Sequence, residues 1–280
     1  MNIGFIGAGK VGFSMGKYLT GRGKCVAGYY SRSPQSSLEA AAFTQTRQYT
    51  DIESLVRDSD MIFLTVPDGA ISSVWEQVKL LPIQSKMILH CSGSLSSAIF
   101  SDIGRTRACG YSIHPLLAVN DRYISWEKLG TAFFTLEGDD RYLRFLKEMF
   151  EQSGNTVEVI SADQKICYHA AAAVASNLYV GLVNLSEELL CSCGFSSENA
   201  HAALAPLILG NAQNITDAGV VRALTGPIER NDAATVSAHL SVLSGEAKEI
   251  YRLLSKQVVK VAQEKHPERD FGKLEGVLTS

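Results

Sequence analysis

The 280-residue sequence has no surplus of either charge: 26 lysines and arginines stand against 29 aspartates and glutamates, a formal net charge of -3. Its basic residues are scattered, which excludes the footprint of a nucleic-acid or anionic-membrane binder. Six cysteines, at positions 25, 91, 109, 167, 191 and 193, include no Cys-x-x-Cys pair. A tetrahedral zinc site therefore lacks its ligands, no metal is expected, and the thiols read as reduced, mostly buried small hydrophobes. There is no Ser-His-Asp arrangement, no H-E-x-x-H and no Walker pattern. The longest weakly polar stretch, residues 170–183, is interrupted by Ser176 and Asn177 and reads as a buried helix rather than a membrane span. No charged leader or apolar targeting segment precedes the first strand, so a cytoplasmic location is the expectation.

What is present is a regular alternation. Apolar runs at residues 3–6, 25–30, 61–66, 87–90, 111–113, 131–136 and 156–160 read as strands. Helical stretches at 10–22, 34–43, 51–57, 70–80 and 141–152 separate them. This spacing predicts an α/β fold, a doubly wound and mostly parallel Rossmann sheet. After Ser161 no strand is convincing, and helices are expected over 163–193, 197–215, 232–243 and 245–265. The expected division is a nucleotide-binding domain over residues 1–160 and an all-helical domain over 161–280, with the tail beyond His266-Pro267 fraying.

The first strand runs into Gly7-Ala8-Gly9-Lys10-Val11-Gly12, a G-x-G-x-x-G turn that opens a helix. Gly7 permits the tight turn, Gly9 lets backbone N–H groups approach a pyrophosphate, and Gly12 lets helix and strand pack closely. The helix N-terminus supplies the positive end of a dipole. At the end of the second strand, where an NAD site carries a carboxylate, this chain has Ser31-Arg32-Ser33. Two hydroxyls and a guanidinium suit a 2′-phosphate, so NADP is the expected cofactor. Val66 and Pro67 end a later strand and are expected beside the ribose and adenine, with Ser92 and Gly93 near the nicotinamide.

A nicotinamide cofactor moves a hydride, so the chain must supply a proton-transfer or polarising group. Lys165, His169 and Ser176 stand at i, i+4 and i+11 of one Ala-rich stretch, within roughly 40° of each other on an ideal helix, with Asn177 at the edge. His114, in Ser112-Ile113-His114-Pro115-Leu116, ends another strand and is a second acid/base candidate. Arg230, in the turn Gly226 to Asp232, could grip a substrate carboxylate or pair with Asp232, with Asn231 or Asp232 capping the next helix. Lys165, His114 and His169 are thus the catalytic candidates, and Ser94, Ser176, Asn177 and Arg230 the substrate-binding ones.

These stretches together resemble the two-domain NADP-dependent reductases that include 6-phosphogluconate and hydroxyisobutyrate dehydrogenases, ketopantoate reductase, pyrroline-carboxylate reductase and prephenate dehydrogenase. The sequence is most similar to a bacterial family known as Rossmann-like NADP oxidoreductases with a C-terminal domain of unknown function. The resemblance implies a catalytic lysine at Lys165, although His169 stands where hydroxyisobutyrate dehydrogenase and ketopantoate reductase carry an asparagine. His114-Pro115 is similar to a pair in prephenate dehydrogenases, where the histidine bonds the substrate hydroxyl. An oxidoreductase acting on a small carboxylated carbonyl or hydroxy compound is therefore expected, as a homodimer through its helical half. The alternatives are a prephenate-type dehydrogenase, an imine reductase, or a non-catalytic NADP-binding sensor.

Overall fold

The structure, a computed structural model, describes residues 1–279. In the first half, strands and helices follow as β1 (Asn2–Ile6), α1 (Lys10–Gly21), β2 (Cys25–Tyr30), α2 (Pro34–Thr44), β3 (Arg47–Gln48), α3 (Ile52–Arg57), β4 (Met61–Leu64) and α4 (Asp68–Val78). They continue as β5 (Met87–His90), α5 (Ile103–Thr106), β6 (Cys109–Pro115), α6 (Ser125–Lys128), β7 (Phe133–Gly138), α7 (Asp140–Glu151), β8 (Thr156–Val159) and α8 (Lys165–Ala175). The eight strands form one sheet in the order β3-β2-β1-β4-β5-β6-β7-β8. The doubly wound, mostly parallel sheet is as expected, with β1 third in line and the order reversing between β1 and β4. Strand β3, only two residues long, carries too little pattern to be read from sequence.

Every residue of β4 and β5 is buried, because helices cover both faces of a parallel sheet. Two apolar cores follow, one on each face: Phe5, Phe13, Phe63 and Phe134 belong to one, Ile62, Leu64, Trp75 and Phe100 to the other. Two strands break the rule. Strand β7 pairs antiparallel with β6, Pro115 opposite Phe134, and β8 runs parallel to β7. Antiparallel neighbours are joined at one end of the sheet. Residues 116–132 therefore stay at the carboxyl end of the parallel strands, where ligands of such sheets bind.

The remainder is helical: α9 (Asn177–Ser192), α10 (Ser197–Ala218), α11 (Val220–Ala223), α12 (Ala233–Val242), α13 (Gly245–Lys265) and α14 (Gly272–Thr279). The chain divides into two compact units, Met1–Ser176 and Asn177–Ser280, rather than near residue 160. The boundary shifts because the expected continuous helix breaks at Ser176, at φ -123° and ψ -79°, and α8 is tied to the sheet by its first side chain, Lys165.

The tail after His266 does not fray. Phe271, Leu274 and Leu278 are buried with Val236, Leu240 and Val259 in the core of the helical unit. The apolar stretch at 170–183 is not buried within the chain: Val174, Leu178 and Val180 are exposed, along a helical run, Ala162–Ser192, long and apolar enough by composition to cross a membrane. All six cysteines are free, yet only Cys109 is buried, and Cys25, Cys167 and Cys193 are exposed. Single cysteines carry no periodicity from which burial can be read.

Candidate active site

The glycine turn forms almost entirely by backbone chemistry. Gly7 sits at φ +110°, a region that favours glycine, and its N–H donates to the Tyr30 carbonyl at 2.8 Å. A Cβ at Gly7 or at Gly12 would lie 2.6 Å from a backbone oxygen, that of Thr65 or of Gly7 respectively, whereas one at Gly9 would meet nothing nearer than 3.9 Å. Two glycines thus close the turn and the third faces open space. Thr65 locks it by donating its hydroxyl to the Gly7 carbonyl at 2.8 Å.

Helix α1 begins at Gly9 with no side-chain cap and no acidic residue in its first turn. Its first N–H groups are therefore available to an anion, which fits the diphosphate of a dinucleotide. A cavity of about 300 Å³ opens there. Gly7, Ala8, Gly9, Ser31, Arg32, Val66 and Pro67 line it, together with Thr65, Ser36 and Arg122. The other expected members sit differently. Gly12 is buried beneath the turn, Lys10 is exposed outside the lining, Val11 is half-buried, and the Ser33 hydroxyl caps α2 by accepting from the Ser36 N–H at 3.3 Å.

A second cluster lies at the carboxyl end of β5, beside the second half of β6. Lys165 is only 1% exposed, and its ammonium donates to the Ser92 carbonyl at 2.9 Å and the Ser112 hydroxyl at 2.7 Å. Burial pulls this amine down to about 8, against the pull of Glu137, Cys91 and Asp68. Glu137 is itself buried and accepts from the Ser97 N–H at 2.7 Å and the Ser97 hydroxyl at 2.6 Å.

Ser92 is the hinge of the cluster. While its carbonyl receives Lys165, its hydroxyl donates to Asp68 at 2.6 Å and accepts from the Leu95 N–H at 3.0 Å. The buried His90 ring accepts from the Ser92 N–H at 3.2 Å, and burial holds it neutral, down at about 4. Desolvation likewise pushes the half-buried Cys91 thiol up to about 12, away from the thiolate form.

Both candidate histidines crowd Gly93, where a Cβ would lie 2.6 Å from His169 Nδ1 and 3.0 Å from His114 Nε2. His114 Nδ1 meets the Tyr168 hydroxyl at 2.7 Å. Burial first, and then the Lys165 charge, hold His114 down at about 4, so its ring is neutral near pH 7. Tyr168 and Glu137 were missed from sequence. Tyr168 lies three residues beyond Lys165 and one turn along the same face, a signal that was available; a lone acid in an apolar strand gives none.

Ser94 lies near Asp68, its hydroxyl 3.4 Å from the carboxylate, in the same cluster. Ser176 falls outside α8, past its last residue, so it does not continue the Lys165–His169 stripe; its hydroxyl bonds the Ala172 carbonyl at 2.7 Å. Asn177 and Arg230 belong to the helical unit. Arg230 is exposed in its turn, and Asp232 caps α12 by accepting from the Thr235 N–H at 3.0 Å and the Thr235 hydroxyl at 2.6 Å. Among the described residues no group of histidines, cysteines and carboxylates is arranged to hold a metal.

The sheet order and the glycine turn define a nucleotide-binding fold of the Rossmann type. Two family models match the chain: one described as NADP oxidoreductase, coenzyme F420-dependent, over residues 2–91, and a domain of unknown function, DUF2520, over residues 132–258. A solved Thermotoga maritima protein is 27% identical, with 94% of this chain and 99% of that one covered and a TM-score of 0.77. A Bacteroides fragilis protein named as an NADP oxidoreductase shares the fold at 21% identity, covering 93% and 98% of the two chains at a TM-score of 0.72. A Bacillus subtilis protein bearing the name of a 6-phosphogluconate dehydrogenase is 25% identical over 154 residues, 55% of this chain; the match spans about half of that relative's length, 51%. The chain thus joins an NADP-oxidoreductase-type nucleotide domain to a C-terminal domain of unknown function that begins within the last strands of the sheet.

Proposed function

We propose that the protein binds NADP(H) at the glycine cradle and transfers a hydride to or from a small carboxylated carbonyl or hydroxy compound. The observation that carries the reading is a buried lysine held between Ser92 and Ser112, beside two imidazoles that close on Gly93. A bound nicotinamide supplies the hydride. Lys165, lowered to about 8, is near the range where an acid works well at neutral pH, and two of its three N–H donors are engaged. The third N–H, with the charge behind it, polarises the reacting oxygen and delivers its proton. His114, oriented by Tyr168 and neutral, hydrogen-bonds that oxygen through Nε2, and His169, set against the same side of Gly93, assists.

Isolated purification substrates are not needed to test this: NADPH oxidation across 2-oxo acids and cyclic imines, and NADP reduction across 3-hydroxy acids and prephenate, cover the chemistry. Turnover on one class with wild type, and loss of it in Lys165→Ala, is the expected result. A kcat for Lys165→Ala within twofold of wild type on the active substrate removes the lysine from the chemistry. Tight NADPH binding with no turnover on any class favours the sensor reading instead.

The helical unit supports a proposal about assembly. Leu178, Val180, Leu207 and Leu209 are exposed, more apolar surface than an isolated chain keeps at no cost. We propose that these helices are covered by a second copy of the chain in a cytoplasmic homodimer. Sedimentation at micromolar concentration giving one species of twice the 30.3 kDa chain mass is the expected outcome, and a monomer refutes it.

A further inference from the structure

The 300 Å³ cavity at the glycine turn is lined by two guanidiniums, Arg32 and Arg122, and by no carboxylate. Arg32 stands at the end of β2, but Arg122 comes from the far side of the sheet, on the connection between β6 and β7. Its presence follows from the reversed strand β7, which keeps residues 116–132 at the carboxyl end of the sheet.

That connection is held from several sides. The Asp121 carboxylate accepts from the Tyr123 and Ile124 N–H groups at 2.7 and 3.0 Å, and the Tyr123 ring packs edge-on against Phe13 and Phe43, centroids 5.4 Å apart in each case. Arg122 between them lays its guanidinium 4.9 Å over the Phe13 ring and gives one nitrogen, Nη1, to Glu39 of α2 at 3.0 Å. No other hydrogen bond of this guanidinium is made among the described residues. The Glu39 pair is about one-third exposed on both sides, and such pairs hold weakly. Arg122 is therefore pre-positioned, with Nε and Nη2 to spare.

We infer that Arg122 is a specificity residue: with Arg32 it brackets a phosphate monoester, the 2′-phosphate of the dinucleotide, from the side opposite β2. Two planar forks, flanked by the Ser31 and Ser36 side chains that share the cavity, match a dianion far better than they match a ribose hydroxyl. This rests on the proposal that the cradle binds NADP(H), and adds that preference for the phosphorylated cofactor is set by two segments about ninety residues apart in sequence, rather than by the β2 turn alone.

The test is calorimetric binding of 2′,5′-ADP, AMP, NADPH and NADH to the full chain, as wild type, Arg122→Met, Arg122→Lys and Arg32→Met, with thermal melts confirming folding. Arg122→Met should weaken 2′,5′-ADP and NADPH by ~10-fold or more while leaving AMP and NADH within about twofold, the loss expected for one charge-assisted contact. Arg122→Lys, which keeps the charge and the stem over Phe13 but not the fork, should fall between. The inference is overturned if Arg122→Met shifts all four ligands equally, or none, while Arg32→Met lowers the preference for 2′,5′-ADP over AMP. If wild type shows no such preference, the NADP reading itself fails, and that outcome is visible without any Arg122 variant.

Discussion

The two parts of the site sit at the same edge of one sheet and are built in opposite ways. The glycine cradle is almost entirely main chain, fixed by a positive φ at Gly7 and by two positions where a Cβ cannot fit. The lysine cluster is almost entirely side chain, joining β5, β6 and α8 through Ser92, Ser112 and Lys165. A backbone site tolerates few substitutions but needs no long-range partner. A side-chain site depends on residues far apart in sequence all arriving together. The difference teaches that binding and chemistry should be separable in this protein.

The sharpest separation is expected from Lys165→Met. It should lower kcat by 10²- to 10⁴-fold, the usual worth of a positioned proton donor, while leaving the NADPH Kd within about threefold. Equal losses in both would show that the cluster supports the cradle as well. The opposite pattern is expected from Gly12→Val, whose side chain meets the Gly7 carbonyl and the Thr65 hydroxyl. Overpacking of ~1–3 kcal/mol should weaken NADPH by up to about 100-fold in calorimetry, with a smaller fall in melting temperature.

Ser112→Ala leaves a buried ammonium one partner short, and a cost of ~1–3 kcal/mol should appear as a lowered melting temperature. The linked pH dependence gives a further check. Lys165 has its amine lowered from 10.5 to about 8, so between those values the unfolded chain binds more protons than the folded one. Stability then rises with pH across that window. The melting temperature of wild type minus that of Lys165→Met should increase from pH 8 to 10.5, and a flat difference would mean that the amine is not desolvated. The smallest effect belongs to Thr65→Val, which removes one neutral hydrogen bond to the turn. About 1 kcal/mol, or roughly fivefold in NADPH affinity, is expected in the same titration.

The parts of the molecule legible in the sequence are those whose physics is local. The turn from Gly7 to Gly12 could be read because strand, glycines and helix follow one another within a dozen residues. The parallel strands could be read because burial on both faces leaves continuous apolar runs such as Met61–Leu64. Tertiary features escaped. Arg122 looks like any solvated arginine until β7 reverses, and Glu137 is distinguished only by the Ser97 N–H and hydroxyl that meet it across the fold. Phe271, Leu274 and Leu278 were mistaken for a fraying tail because a short helix after a proline has little propensity of its own, and its order comes from the core it joins. Ser176 was placed on a helical stripe because periodicity cannot register a break that costs no glycine or proline.

That break at Ser176 has a consequence for how such a protein can be divided. The lysine-bearing helix belongs to the same compact unit as the nucleotide cradle, so the cradle and the proposed proton donor share one stretch of chain that ends at Ser176. A cut near residue 160 would part the cradle from that lysine, whereas a cut at Ser176 would leave the two in one piece.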